Sequence, residues 1–221
     1  MRLVVSTFLC VLVSFGQSTN YSDLLAKARA GNGQAAYQLG KIYEYPKSRA
    51  SPPDLKGAAY WYTQASKAGV PEATVDLARF YLTGLGVPRD DSMALQLYES
   101  AAKSSYPPAM TRLAEVMSAM NYHGNGEYFG RPWLDKAAEL GEPDALNDLG
   151  WLALRSPTGT APTVLWAIPY FEKAINAGSC PALFNLGAIY FEGSIDFKLA
   201  QNAAKAQSYF ARVHVQTHHL P

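Results

Sequence analysis

The chain has 221 residues, of which 48% are hydrophobic and 17% charged, so it can build a sizeable core and carries too little charge for a disordered protein. Its 19 Lys and Arg residues nearly balance its 18 Asp and Glu residues. This balance excludes a strongly electrostatic nucleic-acid binder and argues against a polybasic membrane-surface binder. Two cysteines are too few for a disulfide framework.

Residues 1–16 have the pattern of a cleaved secretory signal. Arg2 precedes an apolar run over residues 3–15, which is too short to span a bilayer because a spanning helix needs about 20 residues. Small residues at Ser14 and Gly16 suit cleavage before Gln17. We therefore expect a periplasmic or secreted protein with no membrane insertion after cleavage. The alternatives are an uncleaved anchor and a first core helix.

The rest of the chain repeats with a period of about 36 residues. A first block, seen at Ala35 as AAYQLGKIY, returns at residues 73, 109, 145 and 182, at spacings of 38, 36, 36 and 37 residues. A second block, seen at Ala58 as AAYWYTQASKAG, follows each first block. Both carry apolar residues at i, i+4 and i+8, which is helical spacing. The period predicts a short α-solenoid of helix pairs.

These blocks divide the chain into a half repeat and five full repeats, or about eleven helices. Residues 17–34 form the capping half repeat, with one helix over 21–30, and residues 214–221 form a C-terminal tail. The five full repeats are residues 35–72, 73–108, 109–144, 145–181 and 182–213.

Small residues and prolines predict where helices end and meet. Second helices are expected to end at Gly69, Gly141 and Gly178, because glycine enters the left-handed conformation without penalty. Pro132 and Pro169 are expected in first turns, where a missing N–H costs nothing. One first-block position has no side-chain bulk and should let paired helices approach closely: Gly40, Ala78, Ala114, Gly150 and Gly187. Large aromatic residues should fill the space between neighbouring pairs: Trp61, Tyr98, Trp133 and Tyr170.

This pattern resembles the Sel-1-like repeat, a relative of the tetratricopeptide repeat. The fullest match runs from Ala73 to Ala109 and includes the glycine turn YLTGLGVPRD over residues 81–90, followed by Ala94 and Tyr98. The resemblance covers residues 22–213 and implies an all-α, right-handed α-solenoid. The turns over 45–53, 121–127 and 156–162 depart from the family pattern, and the cysteines that tie helix pairs in some secreted members are missing.

Motifs for catalysis are almost absent. Ser100 and Lys103 match the Ser-x-x-Lys pattern of penicillin-interacting enzymes, but they fall on a second-block helix, where a chance match is the simpler interpretation. A β-lactam-interacting enzyme is kept as the less favoured alternative. We predict no catalytic residue and no cofactor.

The histidines and the cysteine also have a simpler interpretation. His214 and His218 are spaced i, i+4 and could share a metal, but a solvated C-terminal tail explains them without one. His123 is interpreted as a surface turn residue rather than a general base, and Cys180 as a half-buried apolar residue rather than a reactive thiol. No metal is expected.

A protein-binding surface remains as the functional feature. The family resemblance implies that residues three, seven and ten of each first block line the concave wall of the solenoid. In this chain those residues are Tyr37, Lys41, Glu44, Val75, Arg79, Leu82, Thr111, Glu115, Ser118, Asn147, Trp151, Leu154, Phe184, Ala188 and Phe191. The first part of this groove mixes charges and the last part is aromatic, as protein hot spots are. In the alternative interpretation, Trp151 and Phe191 pack against the neighbouring repeat.

The resemblance implies a binding protein of the bacterial envelope. Small envelope members of the family include immunity proteins that neutralise secreted effectors such as phospholipases, and adaptors in envelope signalling or machine assembly. We expect an inhibitor of the immunity type, with an adaptor or regulatory scaffold as the alternative. The expected partner is a protein effector or an envelope protein.

Overall fold

The computed structural model describes residues 21–46, 52–120, 126–155, 163–193 and 201–217. The expected signal segment, most of the irregular turns over 121–127 and 156–162, and His123, His218 and His219 lie outside these residues. The described ranges contain eleven α-helices and no strand, which confirms the all-α repeat fold expected from the sequence.

The helices fall into two compact units, Met1–Ser104 and Ser105–Pro221. The first unit contains α1 (21–29), α2 (Gly33–Glu44), α3 (Leu55–Lys67), α4 (Pro71–Thr83) and α5 (Asp91–Lys103). The second contains α6 (Pro107–Ala119), α7 (Gly126–Glu139), α8 (Pro143–Arg155), α9 (Thr163–Asn176), α10 (Cys180–Glu192) and α11 (Ala203–Thr217). Each even-numbered helix packs against the helix that follows it, so the two blocks of each repeat form one helix pair.

The ends of the helices have local chemical causes. The side chains of Asn32, Asp54 and Asp90 accept backbone N–H groups in the first turns of α2, α3 and α5. Gly69, Gly141 and Gly178 follow second helices in left-handed conformations, as the sequence predicts. The equivalent residue after α5 is Ser105, which adopts φ +62° although it carries a side chain.

The expectation for Pro132 and Pro169 is wrong. Each is the seventh residue of its helix, because α7 and α9 begin at Gly126 and Thr163, one and a half turns earlier than the second blocks suggest. The first-turn prolines belong instead to first helices, such as Pro71 in α4 and Pro107 in α6. An interior proline leaves the carbonyl four residues earlier without its helical partner, so packing along the first helix must stabilise these second helices.

The core of each unit depends on glycine facing an aromatic ring. In the first unit Gly40 lies directly against the buried Tyr62 ring, which also meets Phe80 edge to face at 5.3 Å. In the second unit a Cβ at Gly150 would lie 2.7 Å from the buried Phe171 ring. The close approach expected at this position is therefore present at Gly40 and Gly150. The two rings, Tyr62 and Phe171, directly follow the aromatic residues chosen from the sequence, Trp61 and Tyr170.

Candidate functional site

The charged residues expected to line the first part of the groove bind one another in the first unit. Asp76 Oδ2 accepts hydrogen bonds from Tyr37 Oη at 3.2 Å and from Lys41 Nζ at 3.3 Å. Arg79 Nη2 donates to Asp76 Oδ1 at 3.3 Å. These bonds tie α2 to α4, and the remaining expected residues of this unit, Val75 and Leu82, are half-buried.

Glu44 is buried within this network. Its carboxylate accepts from Tyr62 Oη at 2.5 Å and from Arg79 Nη2 at 2.6 Å, and only 5% of its side chain is exposed. Burial alone would raise the pKa of Glu44, but hydrogen bonds from Tyr62, Tyr45 and Arg79 outweigh it and hold the pKa below its usual value. The Glu44 carboxylate therefore joins α2, α3 and α4 instead of facing a partner.

Several of the bonds between first helices use a repeat position that the sequence analysis missed. This bridging position directly follows the third residue of the first block and holds Gln38, Asp76, Arg112, Asp148 and Asn185. Asn185 Nδ2 donates to Asn147 Oδ1 at 2.8 Å, joining α10 to α8. A polar residue in every copy was the available signal, because a position facing only the core would be apolar.

The aromatic residues expected in the last part of the groove are exposed in the second unit. Trp151 is 46% exposed, Phe184 58% and Phe191 63%. Trp151 also meets Phe171 edge to face, with ring centroids 6.3 Å apart. One part of its indole therefore packs on the core, and the rest is exposed. Leu154 is half-buried, whereas Asn147 is buried and accepts the hydrogen bond from Asn185.

The sequence analysis also missed exposed apolar residues on a second helix. Leu165 and Trp166 of α9 are both exposed, Trp166 to 60%. They lie in the one and a half turns by which α9 extends before the expected first turn at Pro169. The sequence analysis left Leu165 and Trp166 outside the second helix, because it placed the start of that helix too late.

Two of the candidate residues, Glu115 and Trp151, line one pocket of about 240 Å³ between α6, α7 and α8. Its wall consists of Ala114, Glu115, Ser118, Gly130, Leu134, Asp148, Trp151 and Leu152. The backbones approach closely here, since a Cβ at Gly130 would lie 2.8 Å from the carbonyl oxygen of Ala114. The pocket therefore combines apolar walls, an indole ring and two carboxyl groups.

Asp148 is the electrostatically unusual group of this pocket. Burial, with the nearby charges of Glu115 and Asp144, raises its pKa to about 6. A hydrogen bond from Asn147 and the charge of Arg112 lower it only in part. Perturbed acids of this kind cluster at functional sites, because a fold rarely keeps an uncompensated charge for stability alone.

Arg112 compensates only part of the negative charge around the pocket. Its Nη1 donates to both oxygens of Glu115 at 2.7 and 2.8 Å, and its Nη2 donates to Asp144 Oδ2 at 2.9 Å. Four carboxyl groups therefore share one guanidinium in this part of the second unit, because the charge of Arg112 also acts on Asp148 and Glu142.

Lys103 and Cys180 are the other sequence candidates whose surroundings the described residues show. Lys103 Nζ bonds Glu99 Oε2 at 3.2 Å on its own helix, one turn before it. Cys180 is half-buried at the start of α10. Within the described ranges no three metal-ligating side chains come together, and none of the helices there is long and apolar enough to cross a bilayer.

A family model described as Sel1 repeat matches residues 33–70, 71–106, 107–142 and 180–212, together more than half of the chain. The stretch between the last two matches contains α8 and α9, which form the same kind of helix pair. The family assignment suggested by the glycine turn and the 36-residue period is thus confirmed.

Similar proteins share the fold and are mostly longer. The crystal structure of c5321, a protective antigen of uropathogenic Escherichia coli with an SLR fold, has a TM-score of 0.68 and 25% identity, over 89% of this chain and 41% of that one. Immunity protein Pa5087 from Pseudomonas aeruginosa has a TM-score of 0.63 and 27% identity, over 82% of this chain and 64% of that one.

A curated relative is known as a regulator. Chitin synthase regulatory factor 4 of Schizosaccharomyces pombe is 24% identical over 143 residues, which are 64% of this chain and 22% of the relative. The chain spans about a quarter of the length of the curated relatives it matches.

Proposed function

The chain belongs to the Sel1 repeat family, whose repeats are protein-binding scaffolds, and from this premise we propose that it is an immunity-type inhibitor that binds a secreted effector protein. The contact surface in this proposal is formed by first helices of the second unit, with Trp151, Phe184 and Phe191 as anchors. No catalytic step is part of the proposed function.

The exposure of these aromatic side chains carries the proposal. Aromatic residues that remain 46–63% exposed leave apolar surface in water, which costs free energy unless a partner covers it. Aromatic side chains also dominate the binding energy of protein interfaces, because they bury a large area with little loss of entropy. The hydrogen bond from Asn185 to Asn147 places α10 beside α8, so Phe184 and Trp151 lie on neighbouring helices.

The likeness to an immunity protein of Pseudomonas aeruginosa favours an inhibitor within the class of protein binders. The signal pattern over residues 1–16 supports the same proposal, since it would deliver the chain to the periplasm or the outside, where secreted effectors act. The polar residues of the first unit already have partners within it, since Tyr37, Lys41 and Arg79 all donate to Asp76, and they are given a supporting role.

A regulatory adaptor is the second candidate. The similarity to chitin synthase regulatory factor 4 favours it, because that relative is a regulator and the match covers most of this chain. An adaptor would bind a component of the envelope machinery and alter its output, whereas an inhibitor would neutralise a toxic activity in a one-to-one complex.

The test is capture of the partner with matched surface variants. The tagged chain is expressed in its native cells, lightly cross-linked, and the eluted proteins are identified by mass spectrometry. Trp151→Glu with Phe184→Glu places charge on the proposed surface. Trp166→Glu is the matched control, because Trp166 is another exposed tryptophan of the same unit and lies on a second helix.

We expect one protein that binds the unmodified chain and the Trp166→Glu control but not the double variant. Co-expression of an inhibitor's partner with the chain should then restore growth that the partner alone suppresses. A partner whose toxicity is unchanged but whose assembly into a complex depends on the chain would favour the adaptor. Binding that survives in the double variant would refute the proposed surface.

A further inference from the structure

We propose that the pocket between α6, α7 and α8 binds the guanidinium group of an arginine side chain that the protein partner presents. This inference rests on the proposed function for the source of the arginine, but the recognition chemistry belongs to the pocket. It goes beyond the aromatic anchors because it specifies the charge of the partner's central contact.

The size of the pocket favours a single side chain. Sites for whole small molecules have volumes of roughly 300–1,000 Å³, and this pocket has about 240 Å³. Leu134 and Leu152 supply apolar wall for the methylene groups of a long side chain. A small apolar residue would bring no cation to the carboxyl groups of Glu115 and Asp148 that line the pocket.

The polar groups and the indole fit a planar cation. Glu115 and Asp148 stand on two different helices that line the pocket, and Trp151 presents part of its ring to it. A guanidinium stacks on indole and bonds carboxylates in a forked geometry, whereas an ammonium offers only a point charge. Arg112 bonds Glu115 and Asp144, and its charge offsets only part of the burial and repulsion that act on Asp148. The carboxyl of Asp148 is therefore the group that gains most from an added cation.

The raised pKa of Asp148 supports the same inference. Burial and the charges of Glu115 and Asp144 disfavour the ionised form of this carboxyl. Arg112 on α6 is the cation that partly offsets them. From α7 the pocket is lined by Gly130 and Leu134, which carry no charge. A bound guanidinium would supply the missing counter-charge, so its affinity should increase as Asp148 ionises between about pH 5 and pH 7.

The test uses the full chain, labelled with ¹⁵N, and N-acetyl-arginine amide as the probe. N-acetyl-citrulline amide is the matched neutral probe, because it has the same shape without the charge. The indole N–H resonance of Trp151 is assigned with Trp151→Phe and followed during each titration. We expect saturable shifts with the arginine probe and at least about tenfold weaker binding of the citrulline probe.

Two carboxyl variants complete the test. Asp148→Asn should weaken arginine binding about tenfold, whereas Glu192→Gln, which removes an exposed charge of the same unit outside the pocket, should leave it unchanged. Equal binding of both probes, or unchanged binding by Asp148→Asn, would overturn the inference. Either result would leave the proposed function standing, since that depends on partner capture. Failure of capture with intact arginine binding would refute the proposed function alone.

Discussion

Replacing Glu44 by glutamine tests whether the charges of the first unit serve the fold rather than a partner. The substitution keeps the shape and one acceptor oxygen but removes the charge that bonds Tyr62 and Arg79. Glu44 lies at the end of α2 and joins that helix to α3 and α4. We therefore expect Glu44→Gln to destabilise the first unit without any partner being present.

The expected loss follows from two charge-assisted hydrogen bonds. Each such bond contributes about 1.5–3 kcal/mol, more than a neutral bond. Arg79 is one-third exposed and also bonds Asp76, so part of its energy survives the substitution. We expect a decrease of about 2–3 kcal/mol in the free energy of unfolding at pH 7. Tyr62→Phe should cost about 1–2 kcal/mol, and the double variant should cost less than the sum because the two share a bond.

The pH dependence of stability tests the contribution of the Glu44 charge independently. The pKa of Glu44 is lowered in the folded chain, so its stabilising contribution is complete above the unfolded pKa of about 4.3 and is lost as pH falls through the folded pKa. The difference between the unmodified chain and Glu44→Gln should therefore be constant from pH 7 to about pH 5 and shrink below about pH 4.

Urea denaturation followed by circular dichroism, together with hydrogen exchange of peptides from residues 33–83, measures the loss. Glu99→Gln is the matched control, because Glu99 forms an exposed pair with Lys103 on one helix and its loss should cost less than about 0.5 kcal/mol. A loss below about 0.5 kcal/mol in Glu44→Gln, or one that persists unchanged at pH 3, would refute the structural role assigned to this carboxylate.

Three further predictions concern the backbone, the core and the pocket. Ser105→Gly should stabilise the chain by about 0.5–1 kcal/mol in thermal denaturation, because glycine adopts the left-handed conformation without the steric cost of a side chain. Gly69→Ala should destabilise it by about 1 kcal/mol for the same reason. A change of stability in the same direction for both variants would contradict this. Gly150→Ala should cost about 1–3 kcal/mol in urea denaturation, because its methyl group would meet the buried Phe171 ring at 2.7 Å; an unchanged midpoint would show that the core can yield. The Asp148 carboxyl should titrate near pH 6 by NMR. Because its pKa is raised in the folded chain, the free energy of unfolding should fall as pH rises from about 4 to 6, and Asp148→Asn should abolish that fall. A titration near pH 4 would contradict the burial argument.

The sequence predicted the repeat and its close contacts because both depend on local, periodic properties. Five copies at a period near 36 residues required helix pairs, and glycine at the positions of Gly40 and Gly150 required something large to lie opposite. Glycine at residues 69, 141 and 178 marked helix ends, since few other residues adopt the left-handed conformation. The predicted positions of Pro132 and Pro169 in their helices were wrong, because the start of a helix also depends on packing against a neighbouring helix. A single block of sequence does not show that neighbour.

Only the tertiary structure separated residues that support the fold from residues that remain open. By register, Glu44 and Trp151 are both candidates for the groove, as the tenth and the seventh residue of their first blocks. Three helices nevertheless enclose Glu44, whereas Trp151 remains 46% exposed. The raised pKa of Asp148 left no signal in the sequence, because it depends on burial and on charges brought near by the fold, here Glu115 and Asp144. The sequence determined that the chain is a helical repeat scaffold through its period. The packing of α6, α7 and α8 decided where that scaffold holds a carboxyl-lined pocket, because a pocket exists only where side chains from separate helices converge.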